Sequence, residues 1–311
     1  MTEIPNPFRH LDSLIVFDKA KWGVKLKPLK KIFSKKIAKK LFGKKFALKS
    51  RSALLAPTEI ITPSIKPVKN KKPALQISWA LDAQEIAEAQ RLRYMVFAEE
   101  MGAQLALNNA GLDIDEFDAY CDHLLVRDQE TLEVVGTYRV LPPHKARELG
   151  RLYADSEFDL TRLNHLRPKL VEVGRSCVHS DYRSGAVIMA LWSGLAQYMQ
   201  LHQYEIMLGC ASIPMADGGH FAASLFNALK NEQMAPIENH AFPHVPLPLA
   251  ELNGGLNVEP PPLIKGYLKL GAKICSAPAW DPHFNTADIL TILRLHEINP
   301  RYAKHFFGSK E

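Results

Sequence analysis

The chain is poor in the features that announce a site at once. Its four cysteines, Cys121, Cys177, Cys210 and Cys275, form no C-x-x-C pair and keep clear of histidine clusters. That spacing argues against a disulfide framework or a zinc site and suits free thiols in a reducing compartment. The longest apolar run, about Ala186 to Met199, is interrupted by Ser193 and Gln197 and falls short of the ~20 residues that span a bilayer. The opening MTEIPNPFRHLDS has no basic stretch leading into an apolar one, so no secretory signal is expected. With 17 glycines and 21 prolines in 311 residues, the composition is neither collagen-like nor that of a disordered chain. G-x-S-x-G, H-E-x-x-H, the Walker loop and G-x-G-x-x-G are all missing. His220, His240 and His244 have no metal-ligand spacing, so surface or capping roles are expected and no metal.

What is present is a segregation of charge. Residues 1–73 carry 17 lysines and two arginines against four acidic residues, while 74–311 carry 20 basic against 29 acidic. The division predicts a basic arm at 1–73 joined to an acidic globular domain at 74–311. After Pro28, Leu29, Phe33, Ile37 and Leu41 recur every fourth residue among lysines, the pattern of a cationic amphipathic helix. Residues 50–73, with Pro57, Pro63, Pro67 and Pro73, read as an extended linker.

The body alternates the two periodicities. QISWALD reads as a strand and AQEIAEAQRLRYMVFAEEMGA as one long helix with Ile86, Ala89, Leu92 or Arg93, and Val96 on its inner side. HLLVRD and EVVGTYRVLP form a hairpin, and LVEVGRSCVH is a further strand. VIMALWSGLAQYMQLHQ is a nearly buried helix leading into the strand EIMLGCAS, a spacing that suits a right-handed crossover between parallel strands. AASLFNALK adds a helix, and GYLKLGAKICSAPAWDPHFNTADILTIL supplies late strands and loops. The fold class expected is α/β, one mixed sheet with helices on both faces.

Three places could carry chemistry. SDYRSGA, between a strand and a helix, presents Arg183 and the Ser184, Gly185 and Ala186 backbone at a helix N-terminus, either a phosphate cradle or an ordinary turn. Glu172 lies inside an apolar strand with Arg175 three residues on; it is either a carboxylate of raised pKa able to act as a general base, or one simply paired with an arginine. Asp113, Asp115, Asp118 and Asp122 crowd one loop but lack the central glycine and closing glutamate of a calcium loop. They make either an acidic pocket for a cationic small molecule or a solvated acidic loop.

The blocks RLRYMVFAEEMGA, GLDIDEFDAYCDHLLVRD, VVGTYRVLP, VEVGRSCVHSDYRSG, LWSGLAQY, GCAS, the GYLKLGAKICSAPAWDPHFNTADILTIL stretch and NPRYAKHFFG stand in one order from about Ser78 to Phe307. They resemble the acyl-carrier-protein-dependent N-acyltransferases that make lyso-ornithine lipid, within the GNAT-fold superfamily. More distantly they are similar to acyl-homoserine-lactone synthases, whose conserved pattern falls here on Arg93, Phe97, Asp115, Asp118, Arg139, Glu172 and Arg175. RSGAVI is a shortened form of the GNAT pyrophosphate loop, which suits a phosphopantetheine arm better than coenzyme A.

The resemblance implies a GNAT-like sheet and transfer of a (3-hydroxy)acyl chain from acyl carrier protein to the α-amine of an amino acid, ornithine above all. Transfer would be direct, with Glu172 as the base and Cys177 no nucleophile but a buried small residue. Backbone N–H groups of the neighbouring strand would polarise the thioester. Arg93, Arg139 and Arg175, with Asp115 and Asp118, would form the acceptor pocket, the arginines holding the acceptor's α-carboxylate and the aspartates its side-chain ammonium. Arg183, Ser184, Gly185 and Ala186 would hold the donor phosphate. No permanently bound cofactor and no nucleic-acid partner is expected. The arm would bind an anionic membrane surface, placing the protein on the cytoplasmic side as a peripheral protein, or else dock the acidic carrier protein, and a separate O-acyltransferase would complete the two-chain lipid. The competing readings are acylation of another amino acid such as glycine, or a non-catalytic, haemolysin-like protein acting through the arm.

Overall fold

The computed structural model describes residues 74–105 and 111–302; the expected basic helix and linker lie outside them. Ten strands and five α-helices order this part of the chain. β1 (Leu75–Trp79), β2 (Asp122–Asp128) and β3 (Val134–Leu141) form an antiparallel meander. β4 (Phe158–Asp159) pairs only with β7 (Phe242–Pro243) in a small separate ladder. β5 (Leu170–Val178), β6 (Ile206–Pro214) and β10 (Thr286–Arg294) continue the main sheet, and β8 (Lys273–Ile274) and β9 (Ala279–Asp281) each pair with β10. The strand order is β1-β2-β3-β5-β6-β10-β8, antiparallel throughout except between β5 and β6.

The helices cover both faces, and the strand alternation explains how. On β2, Leu124 and Val126 point toward α3 (Ala186–Leu201), where they meet Val187, Leu191, Leu195 and Met199. Arg127, one step out of phase, turns to the opposite face and pairs with Glu85 and Glu88 of α1 (Ala83–Tyr94). The long first helix is expected as one element, but beyond Tyr94 it continues as a π-helical turn over Met95–Glu100. α2 (Pro143–Leu149) follows the hairpin. α4 (His220–Gln233) packs with α5 (Pro262–Leu270) over Ala211, Ile213, Ala287 and Ile289. α5 corrects the expectation of strand and loop for GYLKLG: Pro262 starts a helix and Gly271, at φ +111°, ends it, the usual asymmetry of helix termini. No helix among the described residues is long and apolar enough to cross a membrane.

The parallel seam positions the site. β5 and β6 are paired only at Leu170–Ile206, Val171–Met207 and Glu172–Leu208, although both strands run on for six more residues. Immediately past the last pair, Gly209 lies so close to its neighbour that an added Cβ would sit 2.5 Å from the Val173 carbonyl oxygen. Gly209→Ala is therefore expected to destabilise the fold by about 1–3 kcal/mol, read as a lower urea midpoint. An unchanged midpoint would mean that the strands part further at no cost.

Candidate active site

A cavity of about 560 Å³ opens where β5 and β6 part, lined by Gly174–Val178 from one strand and Leu208–Ser212 from the other. It draws walls from both faces of the sheet. On the α3 side they are apolar, with Tyr138, Ile188, Trp192, Leu263 and Tyr267, and the hydroxyls of Tyr138 and Tyr267 meet at 2.6 Å. On the α1 side Arg139, Glu172 and Arg175 stand among Val96, Phe97, Phe117 and Phe284.

Glu172 is 5% exposed and stands at the last rung of the parallel ladder. It is not paired with Arg175, as the structural alternative supposed. Its Oε2 accepts the Tyr153 N–H at 2.6 Å and its Oε1 the Ala154 N–H at 2.8 Å. Burial pushes its carboxyl up to about 7, against the opposing pull of those two N–H groups and of Arg139. A carboxylate tuned to neutrality at a cavity wall fits general-base work.

The charged loop after α1 has neither of the forms expected for it. Arg93 is 1% exposed; its Nε donates to Asp113 Oδ2 at 2.8 Å, and Nη1 and Nη2 donate to Asp118 Oδ1 and Oδ2 at 2.8 and 2.9 Å. Arg139 Nη1 donates to Asp115 Oδ1 at 2.6 Å and to Asp118 Oδ1 at 3.1 Å. Gln90 also donates to Asp118, at 3.0 Å. Arg175 lies 3.4 Å from both Asp113 and Asp115. Three guanidinium groups thus interlock with three carboxylates. Burial would raise the Asp118 carboxyl, but the hydrogen bonds and charge of Arg93, with the charge of Arg139, hold it well below the usual range. The loop is a neutral, largely buried brace rather than a solvated surface. Arg93, Asp115 and Asp118 lie outside the cavity lining, whereas Arg139 and Arg175 reach it.

Arg175 owes its direction to a β-bulge. The β3–β5 register slips between Thr137 and Arg139, and Arg175 takes φ +50°, an arrangement that re-aims side chains beside active sites. Its guanidinium lies over the Phe284 ring, 4.4 Å from the centroid, and over Tyr153 at 5.2 Å.

At the SDYRSGA loop, Gly185 has φ +93° and α3 begins with no side-chain cap. Arg183 and Gly185 line the cavity, while Ser184 and Ala186 flank them outside the lining. The Arg183 guanidinium grips Glu100, with Nη2 at 2.7 Å from Oε2, and donates through Nε to the Val178 carbonyl at 3.1 Å.

Sequence reasoning missed Tyr153, Asp281, Phe284 and Asp288 on the cavity lining, and Glu157 beside Asp288 outside it. Asp288 had a usable signal, a carboxylate inside the apolar run TADILTIL, the same one that marks Glu172. Glu157 follows a short 3₁₀ turn, Tyr153–Ser156, where no periodicity exists to mark it. The spacing H-x-x-x-x-D occurs at His123–Asp128 and His283–Asp288, but neither pair meets: His123 turns to the Asp118 carbonyl at 3.1 Å and Asp128 accepts from Tyr182 at 2.8 Å, and His283 is exposed while Asp288 is buried. The four cysteines are free, and Cys177 is buried against Leu92 and Val96 as a small core residue.

The acetyltransferase (GNAT) domain family matches residues 92–193. The L-ornithine N(alpha)-acyltransferase of Rhodobacter capsulatus is 37% identical over 245 residues, 74% of this chain and 94% of its own length. That of Agrobacterium fabrum is 37% identical over 254 residues, 76% of this chain and 86% of its own. Among solved structures, the AHL synthase LasI is similar at 13% identity with a TM-score of 0.46, covering 76% of this chain and 97% of its own.

The brace makes its own prediction. Asp118→Ala removes the shared acceptor of Arg93, Arg139 and Gln90 and is expected to cost about 3–5 kcal/mol in chemical denaturation at neutral pH. Because the folded carboxyl is depressed, its contribution is present above the ordinary aspartate range near pH 4 and is lost as pH falls below it. The gap between variant and wild type should therefore narrow toward pH 2; a gap independent of pH would deny the ion pairing.

Proposed function

The chain belongs to the L-ornithine N(alpha)-acyltransferase family, and from that premise we propose that it transfers an acyl chain from acyl carrier protein to the α-amine of ornithine. The observation that carries this reading is Glu172, buried at the point where two strands part around a cavity that is apolar on the α3 side and holds Glu172 with Arg139 and Arg175 on the other.

The facing edges of β5 and β6 past Glu172 are not paired to one another, and backbone groups without partners favour an inserted strand-like ligand. A phosphopantetheine arm, with amides spaced along an extended chain, is such a ligand. It would enter at the Arg183–Gly185 mouth, where the uncapped start of α3 and the Arg183 guanidinium, released from Glu100, would hold its one phosphate. The fatty chain would lie against Tyr138, Ile188, Trp192 and Leu263. Backbone N–H groups of β5 would polarise the thioester oxygen.

The acceptor would approach on the α1 side. Arg139 and Arg175, already oriented by the aspartate brace, offer remaining N–H donors to its α-carboxylate; Arg93, Asp115 and Asp118 act on the substrate only through them. Glu172, as carboxylate, would take a proton from the α-ammonium, directly or through a water. The freed amine attacks the thioester carbonyl and the thiolate of the carrier leaves, taking a proton, so that no acyl-enzyme forms. The product is a fatty-acylated amino acid destined for the bilayer, and the basic residues 1–73 would hold the protein at an anionic membrane on the cytoplasmic side, each lysine near the surface adding about 1 kcal/mol. A separate O-acyltransferase would add the second chain.

Glu172→Gln is expected to lower kcat/KM by about 10²-fold or more. Glutamine leaves one of the two backbone N–H groups without an acceptor, so folding is checked by thermal melting, and the wild-type pH profile provides a separate test. The carboxylate is the working form and its pKa is raised to about 7. The rate should therefore climb about tenfold per unit up to pH 7 and level off above it. A rate already flat from pH 5 would remove Glu172 as the base. For the arm, the full chain should co-sediment with anionic vesicles more strongly than a chain beginning at Leu75; equal binding would remove residues 1–73 from membrane attachment.

A further inference from the structure

We infer that the cavity contains an acidic subsite, centred on Asp288 and reinforced by Glu157 and Asp281, that seats the side-chain ammonium of the acceptor and selects a diamino acid over a neutral one. This rests on the acceptor reading above and adds to it the residues that read the substrate's far end.

Asp288 sits mid-strand on β10, 4% exposed, and lines the cavity. Its Oδ1 has no hydrogen-bond partner and is shielded from the surface; the equally shielded Glu157 carboxylate has only the neutral Tyr153 hydroxyl and Cys210 thiol beside it. A Glu157 oxygen, an Asp288 oxygen and the Cys210 sulfur lie within 4.8 Å of one another. Asp281 adds a third carboxylate to the wall; its Oδ1 accepts the backbone N–H groups of His283 and Phe284 at 2.8 and 3.2 Å. Among the described residues, none of these three carboxylates forms an ion pair with the protein. Arg175 acts on Asp288 by its charge, but its own ion pairs are with Asp113 and Asp115.

Buried carboxylates are normally paired. The aspartate brace shows the contrast: Asp113, Asp115 and Asp118 are ion-paired with three arginines, and among the described residues neither Glu157 nor Asp288 has an ion-pair partner. Burial, followed by the charges of neighbouring carboxylates, pushes both of their carboxyls up, which a bound cation would reverse. A primary ammonium, with three donors and one charge, meets the orphaned oxygens. A metal ion is the competing occupant of the Glu157, Cys210 and Asp288 group, and the test below separates the two.

The strand register makes the placement consistent with Glu172. Leu208 lies opposite Glu172 across the parallel seam, Cys210 is two residues further along β6 on the same face, and Ser212 is opposite Asp288 on β10. An acceptor with its α-amine at Glu172 can therefore extend its side chain along β6 toward Asp288.

The test compares L-ornithine with L-norvaline, which keeps the carbon chain and lacks the ammonium, in wild type, Asp288→Asn and Glu157→Gln with acyl carrier protein as donor. Wild type should favour ornithine in kcat/KM by about 10²-fold or more, since a polar site rejects a ligand that leaves it unpaired. Each variant should reduce that ratio at least about tenfold, through KM for ornithine. Asp288→Asn should melt at or above the wild-type temperature, because an uncompensated buried charge is removed; a purely structural Asp288 would melt lower. A ratio kept in both variants overturns the subsite. So does a wild-type ratio that is lost with EDTA and restored by zinc alone. If wild type acylates no amino acid, the proposed reaction falls, and calorimetry decides the subsite separately: ornithine bound over norvaline, with the preference lost in Asp288→Asn, supports it, and equal binding of the two overturns it.

Discussion

Three rungs of parallel pairing between β5 and β6, ending at Glu172, are the constraint on which the site depends. Up to that rung the sheet is continuous and buried; beyond it the strands separate and leave backbone edges facing a cavity. Gly209 permits the close approach at the last rung, and the β-bulge at Arg175 begins two residues later on the other strand. One short seam thus places a tuned carboxylate, an open backbone edge and a re-aimed guanidinium on the rim of the same cavity.

The charges around that rim fall into two populations with different physics. Arg93, Arg139 and Arg175 with Asp113, Asp115 and Asp118 form a neutral network of mutual ion pairs, in which, among its buried side-chain atoms, the Arg175 Nε alone lacks a hydrogen bond. Such a network fixes geometry, and breaking it exposes a buried charge to its full desolvation cost. Glu157, Glu172 and Asp288 are buried without ion-pair partners, which raises all three carboxyls. Groups held in that way cost stability and cluster at functional sites. The arginines and aspartates singled out from the sequence all belong to this brace, and of Arg93, Asp115, Asp118, Arg139 and Arg175 only the last two reach the cavity wall.

Most of the fold was legible in residue order. The hairpin, the crossover from β5 through α3 to β6 and the two-faced sheet follow from alternation, helical period and turn residues. The helix in GYLKLG was missed because its Pro262 start lies just outside that stretch and Gly266 inside it resembles a breaker; in the fold Gly266 makes room for Trp192, whose ring would lie 2.3 Å from an added Cβ. Glu172 stood out as a carboxylate in an apolar strand, and Asp288 carried the same mark. What residue order could not supply was pairing. The loop aspartates belong with arginines on α1, β3 and β5, contacts set by tertiary packing alone, so a brace and a solvated loop look alike in one dimension. The carboxylates at positions 157 and 288 are brought together from a 3₁₀ turn and a late strand separated by more than a hundred residues.

The central claim is direct transfer to the α-amine of ornithine at Glu172. Mass spectrometry tests it most directly, on purified protein given 3-hydroxyacyl carrier protein and an equimolar mixture of amino acids that includes ornithine, with fragmentation to locate the acyl group. A single product, ornithine acylated on its α-nitrogen with the side-chain amine free, is the result predicted. Acylation of the side-chain amine, of a neutral amino acid in preference, or of the protein itself would contradict the account.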